Sequence, residues 1–222
     1  IDFVIARSGK RRNIEVDFFG GEPLMNLDVV KKVVEYARSI EKEHNKNFRF
    51  TMTTNGILLD DDSIDFINRE MSNVVLSLDG RKEVNDRLRP TVNKKGSYDI
   101  IVPKYQKLVA GRGDKEYYVR GTFTKYNLDF TDDVLHLNEL GVDQISVEPV
   151  VTDPELPYAL TESDLPAIAE EYEKLSKILI ERKKNGTSFN FFHFMIDLEG
   201  GPCVYKRLSG CGSGTEYLAV TP

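Results

Sequence analysis

The stretch FFGGEPLMN, residues 18–26, separates two segments with different patterns. The preceding residues, NIEVDF, are rich in side chains that favour β-strands, whereas the following NLDVVKKVVEYARSI has the apolar spacing of an amphipathic helix. Two glycines, a glutamate and a proline thus form the turn from a strand into a helix. No histidine, lysine or cysteine accompanies them, so the turn has the composition of a binding loop and contains no evident nucleophile.

The alternation of strand and helix continues on both sides of this turn. A short helix is expected over residues 1–9, with Gly9 in the usual C-terminal position. The expected strands are residues 14–19, 48–53, 73–78, 117–123 and 144–150, and the later helices are about 27–40, 63–71, 98–110 and 132–140. This order predicts an α/β fold with a parallel sheet and right-handed crossovers. A further strand before Ile1 would complete a partial (βα)6 TIM-like barrel.

The pattern changes after residue 151. A capping box at Thr161 predicts a helix that ends near Asn185, and the aromatic segment FNFFHFMIDL follows it. The remaining tail is rich in glycine and contains both cysteines. We expect three parts: the barrel in residues 1–151, a linker and helical bridge in 152–200, and the start of a Cys-rich domain in 201–222.

Composition excludes several classes of protein. The chain has 222 residues, of which 40% are hydrophobic and 30% charged, as in globular proteins that bury a core. The net charge of −6 and the lack of a basic tract argue against nucleic-acid binding. No apolar run approaches the ~18 residues of a membrane span. Two cysteines make no disulfide framework and no secretory signal is visible, so a reducing cytoplasm is expected. A first residue other than Met suggests a piece of a longer polypeptide.

Polar and glycine residues follow all five expected strands. The strand ends have the sequences FFGGEP, TTNG, LSLDG, VRGTFTK and VEPV. Taken singly, each has a structural explanation, since glycine pairs and Asn-Gly form turns and Asp79 is a candidate helix cap. Ligands of parallel α/β folds bind at the carboxyl ends of the strands, and five polar ends at one edge favour a site there.

The glycine pair gives residues 18–26 a function in binding. Gly20 and Gly21 have no Cβ, so their backbone can come into contact with a ligand and bond a charged ammonium. Glu22 adds a carboxylate, and Pro23 fixes the start of the helix. These features predict recognition of an amino-acid-like head group.

The ordered set GGEP, TTNG, SLDG with VNDRLRP, and ISVEP resembles the radical S-adenosylmethionine enzymes. The tail CVYKRLSGCGSGTEYLAVTP resembles the entry into a SPASM domain, the Cys-rich extension that holds auxiliary iron–sulfur clusters. Together they resemble most closely the maturases of SCIFF (six-cysteines-in-forty-five-residues) peptides. The resemblance implies S-adenosylmethionine and 4Fe–4S clusters as cofactors. The superfamily's CxxxCxxC motif, whose thiolates bind one cluster, is absent from these 222 residues and is expected upstream of Ile1.

The resemblance also implies roles for individual residues. Arginine grips a carboxylate with two parallel hydrogen bonds, which suits Arg120 to the methionine carboxylate, although a surface ion pair is the alternative for this residue. The implied cofactor set is Gly20, Gly21, Glu22 and Pro23 near the methionine amino group, Ser77 and Arg120 at its carboxylate, Asn55 near the ribose, and Val147, Glu148 and Pro149 beside the adenine. Asp79 and Arg89 are expected on the substrate side.

Two cysteines are the expected metal ligands. Cys211 matches the first SPASM cysteine, which binds an auxiliary cluster, whereas Cys203 is either a second ligand or a free thiol. The three histidines are scattered without ligand spacing, and LDDDS, residues 59–63, is interpreted as a helix cap with a solvated face.

The implied function is the reductive cleavage of S-adenosylmethionine and the formation of a thioether between a cysteine sulfur and a backbone α-carbon. The expected partners are a Cys-rich precursor peptide and an electron donor such as flavodoxin or ferredoxin, with neither nucleic acid nor a membrane. Two alternatives stay open: another SPASM maturase, such as one that forms formylglycine, and a peptide-binding scaffold without chemistry. A CxxxCxxC motif just upstream of Ile1 would separate the enzymes from the scaffold.

Overall fold

The computed structural model describes residues 1–195 and 218–220. Its centre is a parallel sheet of six strands, in which each strand pairs with the next one along the chain. The strands are β1 (Asn13–Phe18), β2 (Asn47–Thr54), β3 (Asn73–Ser77), β4 (Glu116–Phe123), β5 (Gln144–Pro149) and β6 (Asn190–Phe191). The open parallel sheet and the strand–helix alternation confirm the predicted partial barrel.

Helices connect the strands. They are α1 (Asp2–Ser8), α2 (Leu27–Ile40), α3 (Asp61–Glu70), α4 (Lys82–Leu88), α5 (Tyr98–Ala110), α6 (Phe130–Glu139) and α7 (Leu165–Lys184). The ends of the helices predicted within residues 1–140 lie within about two residues of these bounds. Helix α7 begins four residues after the predicted cap Thr161, because a 3₁₀ turn, Glu162–Asp164, precedes it. Helix α4 was not predicted, because it buries only Asn85 and so has no apolar stripe.

The two faces of the sheet differ in character. One face is covered by helices, and several of its side chains, such as those of Phe50, Leu76 and Val119, have no exposed surface. The opposite face is open and carries charged and polar side chains such as those of Glu15 and Arg49. Strand β2 therefore alternates between buried and more exposed positions. This alternation leaves the open face free to bind a ligand.

Strand β6 lies in the segment expected to be a linker and helical bridge. It pairs with β5 through Gln144↔Asn190 and Ile145↔Phe191. The preceding helix α7 packs against α6 and buries Leu175 completely. The sequence did not predict this strand, because two residues are too short to show alternation. The boundaries proposed at residues 151 and 200 stay predictions.

Candidate active site at the carboxyl ends of the strands

A row of polar side chains crosses the open face where the strands end. Ser77 of β3 lies opposite Arg120 of β4, which lies opposite Ser146 of β5. Glu148 follows two residues later on the same face of β5, opposite Thr122. The register thus brings together three residues that the sequence assigned to one cofactor: Ser77, Arg120 and Glu148.

Arg120 and Glu148 form an ion pair in this row. The Arg120 Nη2 atom donates to Glu148 Oε2 at 2.6 Å, and Ser146 Oγ donates to Glu148 Oε1 at 3.2 Å. Burial acts to raise the pKa of Glu148, but the hydrogen bond and the charge of Arg120 outweigh it, so the pKa lies below its usual value. Arg120 therefore forms an ion pair, which was the alternative to a role in binding the cofactor. Its side chain still keeps 45% of its surface exposed, which leaves other guanidinium donors open to a ligand.

The glycine turn after β1 borders open space. Gly20 and Gly21 have φ angles of +86° and +53°, and a Cβ at either position would meet no atom within 4 Å. The positive φ angles explain the choice of glycine. Pro23 starts a one-turn 3₁₀ helix, Pro23–Asn26, as its fixed φ favours. The backbone of this turn is thus accessible to a ligand, and its contact with the cofactor stays a prediction.

Glu22 connects two strand ends. Its Oε1 accepts hydrogen bonds from Leu24 N at 3.1 Å and Thr54 Oγ1 at 2.8 Å, and its Oε2 accepts one from Asn55 N at 2.7 Å. The carboxylate therefore holds the GGEP turn against TTNG at the end of β2. A carboxylate has about four acceptor positions, so one remains on Oε2 for an ammonium.

The TTNG turn is fixed from both sides. The Asn55 Oδ1 atom accepts a hydrogen bond from Ile57 N at 3.0 Å, while Asn55 itself is exposed at this edge. A Cβ on Gly56 would lie 2.3 Å from the ring of Tyr105. The Tyr105 hydroxyl donates to Thr54 O at 3.2 Å and Ser77 O at 3.0 Å, which ties β2 to β3. Tyr105 was not singled out in the sequence, where its position matches an ordinary core residue of α5.

Asp79 and Arg89, both expected on the substrate side, bind each other. Arg89 Nε donates to Asp79 Oδ2 at 2.8 Å, and Arg89 Nη2 donates to Asp79 Oδ1 at 2.9 Å. The backbone N–H of Thr122 also donates to Oδ1, at 2.9 Å. Asp79 is only 2% exposed, so its carboxylate anchors the loop after β3. The side chain of Arg89 keeps 34% of its surface exposed, so only that part is accessible to a ligand.

Gly121 explains how Asp79 reaches β4. A Cβ at this position would lie 2.7 Å from the carbonyl oxygen of Leu78 and 3.1 Å from the Cα of Asp79. Since only glycine leaves that space, the residue after Arg120 lets the loop after β3 cross close to the strand. The glycine of VRG therefore allows the backbone of the loop after β3 to lie close to the backbone of β4.

Val147 and Pro149 lie on the other face of β5 from Glu148. Val147 is completely buried among the helices, opposite Gly121, whereas Pro149 is exposed at the end of the strand. A ligand on the open face would contact Val147 only through its backbone. Of the three residues expected beside the adenine, the structure places the Glu148 side chain in the polar row.

An aromatic pair forms the neighbouring part of the open face. The rings of Tyr118 and Phe192 meet edge to face with their centroids 5.0 Å apart. Tyr118 lies two residues before Arg120 on the same face of β4. Neither residue was singled out in the sequence. Alternation in YYVRGTF is the signal that could have placed Tyr118 on the face of Arg120, whereas nothing in the sequence indicates Phe192 beside it.

The candidate metal ligands Cys203 and Cys211 lie outside the described residues. Within residues 1–195 and 218–220, no group of His, Cys, Asp and Glu side chains has an arrangement that could hold a metal ion. His136 and His193 lie within hydrogen-bond distance of Tyr98 and Tyr172, as expected of ordinary structural histidines. Burial lowers the pKa of His193, while the nearby charge of Glu148 opposes that shift.

Within residues 1–195 and 218–220, none of the helices combines the length and the apolar character needed to cross a bilayer.

Two curated relatives match parts of this chain. An uncharacterised protein of Methanocaldococcus jannaschii is 30% identical over 137 residues, which are 61% of this chain and 46% of that protein. A cysteine-type anaerobic sulfatase-maturating enzyme of Clostridium novyi (strain NT) is 33% identical over 92 residues, which are 41% of this chain and 24% of that enzyme. The chain thus spans less than half the length of these relatives.

Solved structures show a similar fold. Native anSMEcpe with bound AdoMet superposes with a TM-score of 0.75 and 18% identity, covering 86% of this chain and 52% of that one. The same protein with bound AdoMet and Kp18Cys peptide gives a TM-score of 0.73 and 18% identity, with coverages of 86% and 54%. At this identity the likeness concerns the fold alone.

The family is given by the sequence match. Residues 4–120, more than half of the chain, match the model of the Radical SAM superfamily. The matched residues begin in α1 and end at Arg120, so they include GGEP, TTNG and SLDG. The chain therefore belongs to the radical SAM superfamily of enzymes.

Proposed function

We propose that this chain is the barrel of a radical SAM enzyme that modifies a peptide by joining a cysteine sulfur to a backbone α-carbon. The substrate would be a Cys-rich ribosomal precursor peptide in the cytoplasm. The family membership supports the radical chemistry. Two observations support a peptide substrate: a curated relative is named as a cysteine-type sulfatase-maturating enzyme, and a structure with the same fold was solved with bound peptides.

The open polar face carries this proposal, because its residues fit the methionine part of S-adenosylmethionine. The backbone of Gly20 and Gly21 borders open space, and one acceptor position of Glu22 remains for the amino group. Arg120 is half exposed and lies opposite Ser77, so both can bind the carboxylate. Asn55, at the same edge, is proposed near the ribose.

When bound, S-adenosylmethionine supplies the carbon radical that removes a hydrogen atom from the peptide. The chain's own residues hold the methionine head group and keep the strand ends in place. Glu22 fixes the glycine turn, and Asp79 with Arg89 fixes the loop after β3. Cys211, with Cys203 as a second candidate, is proposed as a ligand of an auxiliary 4Fe–4S cluster. A flavodoxin or ferredoxin is proposed as the electron donor.

Product analysis tests the proposal. Full-length protein, purified without oxygen and supplied with S-adenosylmethionine, a reductant and its Cys-rich peptide, should form one thioether per 5′-deoxyadenosine. The peptide should lose two hydrogen atoms per crosslink, since an S–C bond replaces an S–H and a C–H bond. Deuterium placed at the acceptor α-carbon should appear in 5′-deoxyadenosine. A product that keeps every thiol open to alkylation would rule out the thioether.

A second candidate is the oxidation of a cysteine to formylglycine. The 33% identity to a cysteine-type anaerobic sulfatase-maturating enzyme favours it. Its product differs in composition, because the side chain loses two hydrogen atoms and exchanges its sulfur for oxygen. The same mass spectra therefore separate the two reactions, and an aldehyde reagent labels only the second product. No 5′-deoxyadenosine with any peptide would favour a scaffold without chemistry.

Arg120→Ala should weaken S-adenosylmethionine binding by about 1.5–3 kcal/mol, as expected when a charge-assisted hydrogen bond is lost. The measurement is calorimetry on the full-length protein with its clusters reconstituted. Arg49→Ala is the matched control, because Arg49 is also 45% exposed and paired, with Glu116 at 2.9 Å, near the opposite ends of the strands. Equal affinities of wild type and Arg120→Ala would exclude Arg120 from the cofactor site.

A further inference from the structure

We propose that Glu148, oriented by Ser146, is a positioning residue that holds the guanidinium of Arg120 ready for a ligand carboxylate. This inference rests on the proposed function, in which Arg120 binds the methionine carboxylate. It gives Glu148 a role through Arg120 in place of the direct contact with adenine that the sequence suggested. The contacts that support this role, Arg120 with Glu148 and Ser146 with Glu148, both lie on the open face.

Ser146, Glu148 and Arg120 form a hydrogen-bonded series across strands β5 and β4. Ser146 lies directly opposite Arg120, and Glu148 lies one diagonal step farther along β5. Such diagonal neighbours are within reach of long side chains. Each carboxylate oxygen of Glu148 has one protein partner in this row: Oε1 accepts from Ser146 at 3.2 Å and Oε2 accepts from Arg120 at 2.6 Å. Ser146 is only 3% exposed, so it is the most firmly held residue of this hydrogen-bonded series.

Arg120 needs such a partner because of its exposure. A half-exposed arginine side chain has considerable rotamer freedom, and fixing it on ligand binding costs conformational entropy. The ion pair with Glu148 fixes it beforehand. Since this contact uses Nη2, the remaining guanidinium donors stay available, and Ser77 lies opposite on β3. Preorganisation of this kind increases affinity without a new contact to the ligand.

The opposite effect is also physically reasonable. Glu148 is a negative charge beside the expected carboxylate, so it would repel the ligand or compete with it for Arg120. The two effects have opposite signs in a binding measurement. If Glu148 positions Arg120, its removal weakens binding, whereas removal of a competitor strengthens it. The bidentate fixing of Glu148 by Ser146 and Arg120 favours the first outcome.

A double-mutant cycle provides the test, with S-adenosylmethionine as the probe and the cluster-loaded full-length protein as the receptor. Glu148→Ala should raise the Kd about tenfold in the wild-type background and leave it unchanged in the Arg120→Ala background. Ser146→Ala should raise the Kd by a smaller factor, about threefold, because the ion pair remains. Glu148→Gln, which keeps an acceptor oxygen, should lie between wild type and Glu148→Ala.

The control cycle uses the pair Arg49–Glu116, which lies on the same face with Arg49 Nη2 2.9 Å from Glu116 Oε2. Neither Arg49→Ala nor Glu116→Ala should change the Kd. Equal effects of Glu148→Ala in both backgrounds would overturn the inference, and so would tighter binding. Unchanged binding in Arg120→Ala alone would instead overturn the proposed cofactor site. If Glu148→Ala does not fold, the Glu148→Gln and Ser146→Ala variants carry the same cycle.

Discussion

Arg89→Ala should lower the free energy of unfolding by about 3 kcal/mol, because it leaves a buried carboxylate without its charged partner. Asp79 is 2% exposed and receives two hydrogen bonds from Arg89, at 2.8 and 2.9 Å. After the substitution only the N–H of Thr122, at 2.9 Å, remains near Oδ1. The cost is the desolvation of Asp79, which the lost guanidinium no longer offsets.

Urea unfolding of the full-length protein measures this change, with Arg49→Ala as the control. Arg49 also pairs with a carboxylate at 2.9 Å, but Glu116 is 67% exposed. Water solvates that carboxylate when the arginine is removed, so the control should lose less than about 1 kcal/mol. Equal losses in the two variants would contradict a buried role for the Asp79–Arg89 pair.

The same pair has a consequence for interpreting activity. Asp79 and Arg89 were expected to face the substrate, and a variant of either would lose activity under that hypothesis. The structure provides a second cause for such a loss of activity: without the Asp79–Arg89 pair, the loop after β3 would be displaced. Arg89→Lys helps to separate the two, because it keeps the charge but cannot form both hydrogen bonds. Loss of stability in parallel with loss of activity indicates the anchoring role.

The fold was predictable wherever a segment was long enough to show a period. Strand β2 alternates over eight residues and α2 has its apolar stripe over fourteen, so both were located within about two residues. Repetition of strand and helix then required a parallel sheet. Strand β6 and helix α4 were not predicted, for the same physical reason. Two strand residues and one buried helical side chain show no periodic pattern.

The location of the site was predictable, but its internal contacts were not. All carboxyl ends of parallel strands meet at one edge, which places GGEP, TTNG and SLDG together without further information. The partners within that edge depend on register and rotamer. Asp79 pairs with Arg89 ten residues away, whereas Arg120 pairs with Glu148 at a distance of 28 residues in sequence. No local pattern distinguishes such partners from residues that face a ligand.

Gly80→Ala should be strongly destabilising, with a loss of about 4 kcal/mol from backbone strain and overpacking together. Gly80 closes the SLDG turn with a φ of +133°, a conformation that side chains disfavour. The added Cβ would also lie 2.3 Å from the Cβ of Asp133. Both effects displace the loop that carries Asp79.

Asp133 cannot move away from the added methyl group without a further loss. It is completely buried, and its carboxylate accepts hydrogen bonds from Arg81 Nε at 2.8 Å and Asn127 Nδ2 at 3.1 Å. Burial raises the pKa of Asp133, and the bonds from Arg81 oppose that shift. Any shift of α6 to relieve the clash would break contacts that compensate this buried carboxylate.

Gly113→Ala is the reference variant, because its added methyl group meets no clash. Gly113 has a φ of +56°, but a Cβ there would meet no atom within 4 Å, so this variant should lose only about 1–2 kcal/mol. Denaturant titration of both full-length variants gives the difference, which combines the contact with Asp133 and the less favourable φ angle of Gly80. If Gly80→Ala loses no more than Gly113→Ala, the turn can relax away from α6. The tight junction between the SLDG loop and Asp133 would then be unnecessary for holding Asp79 at the strand ends.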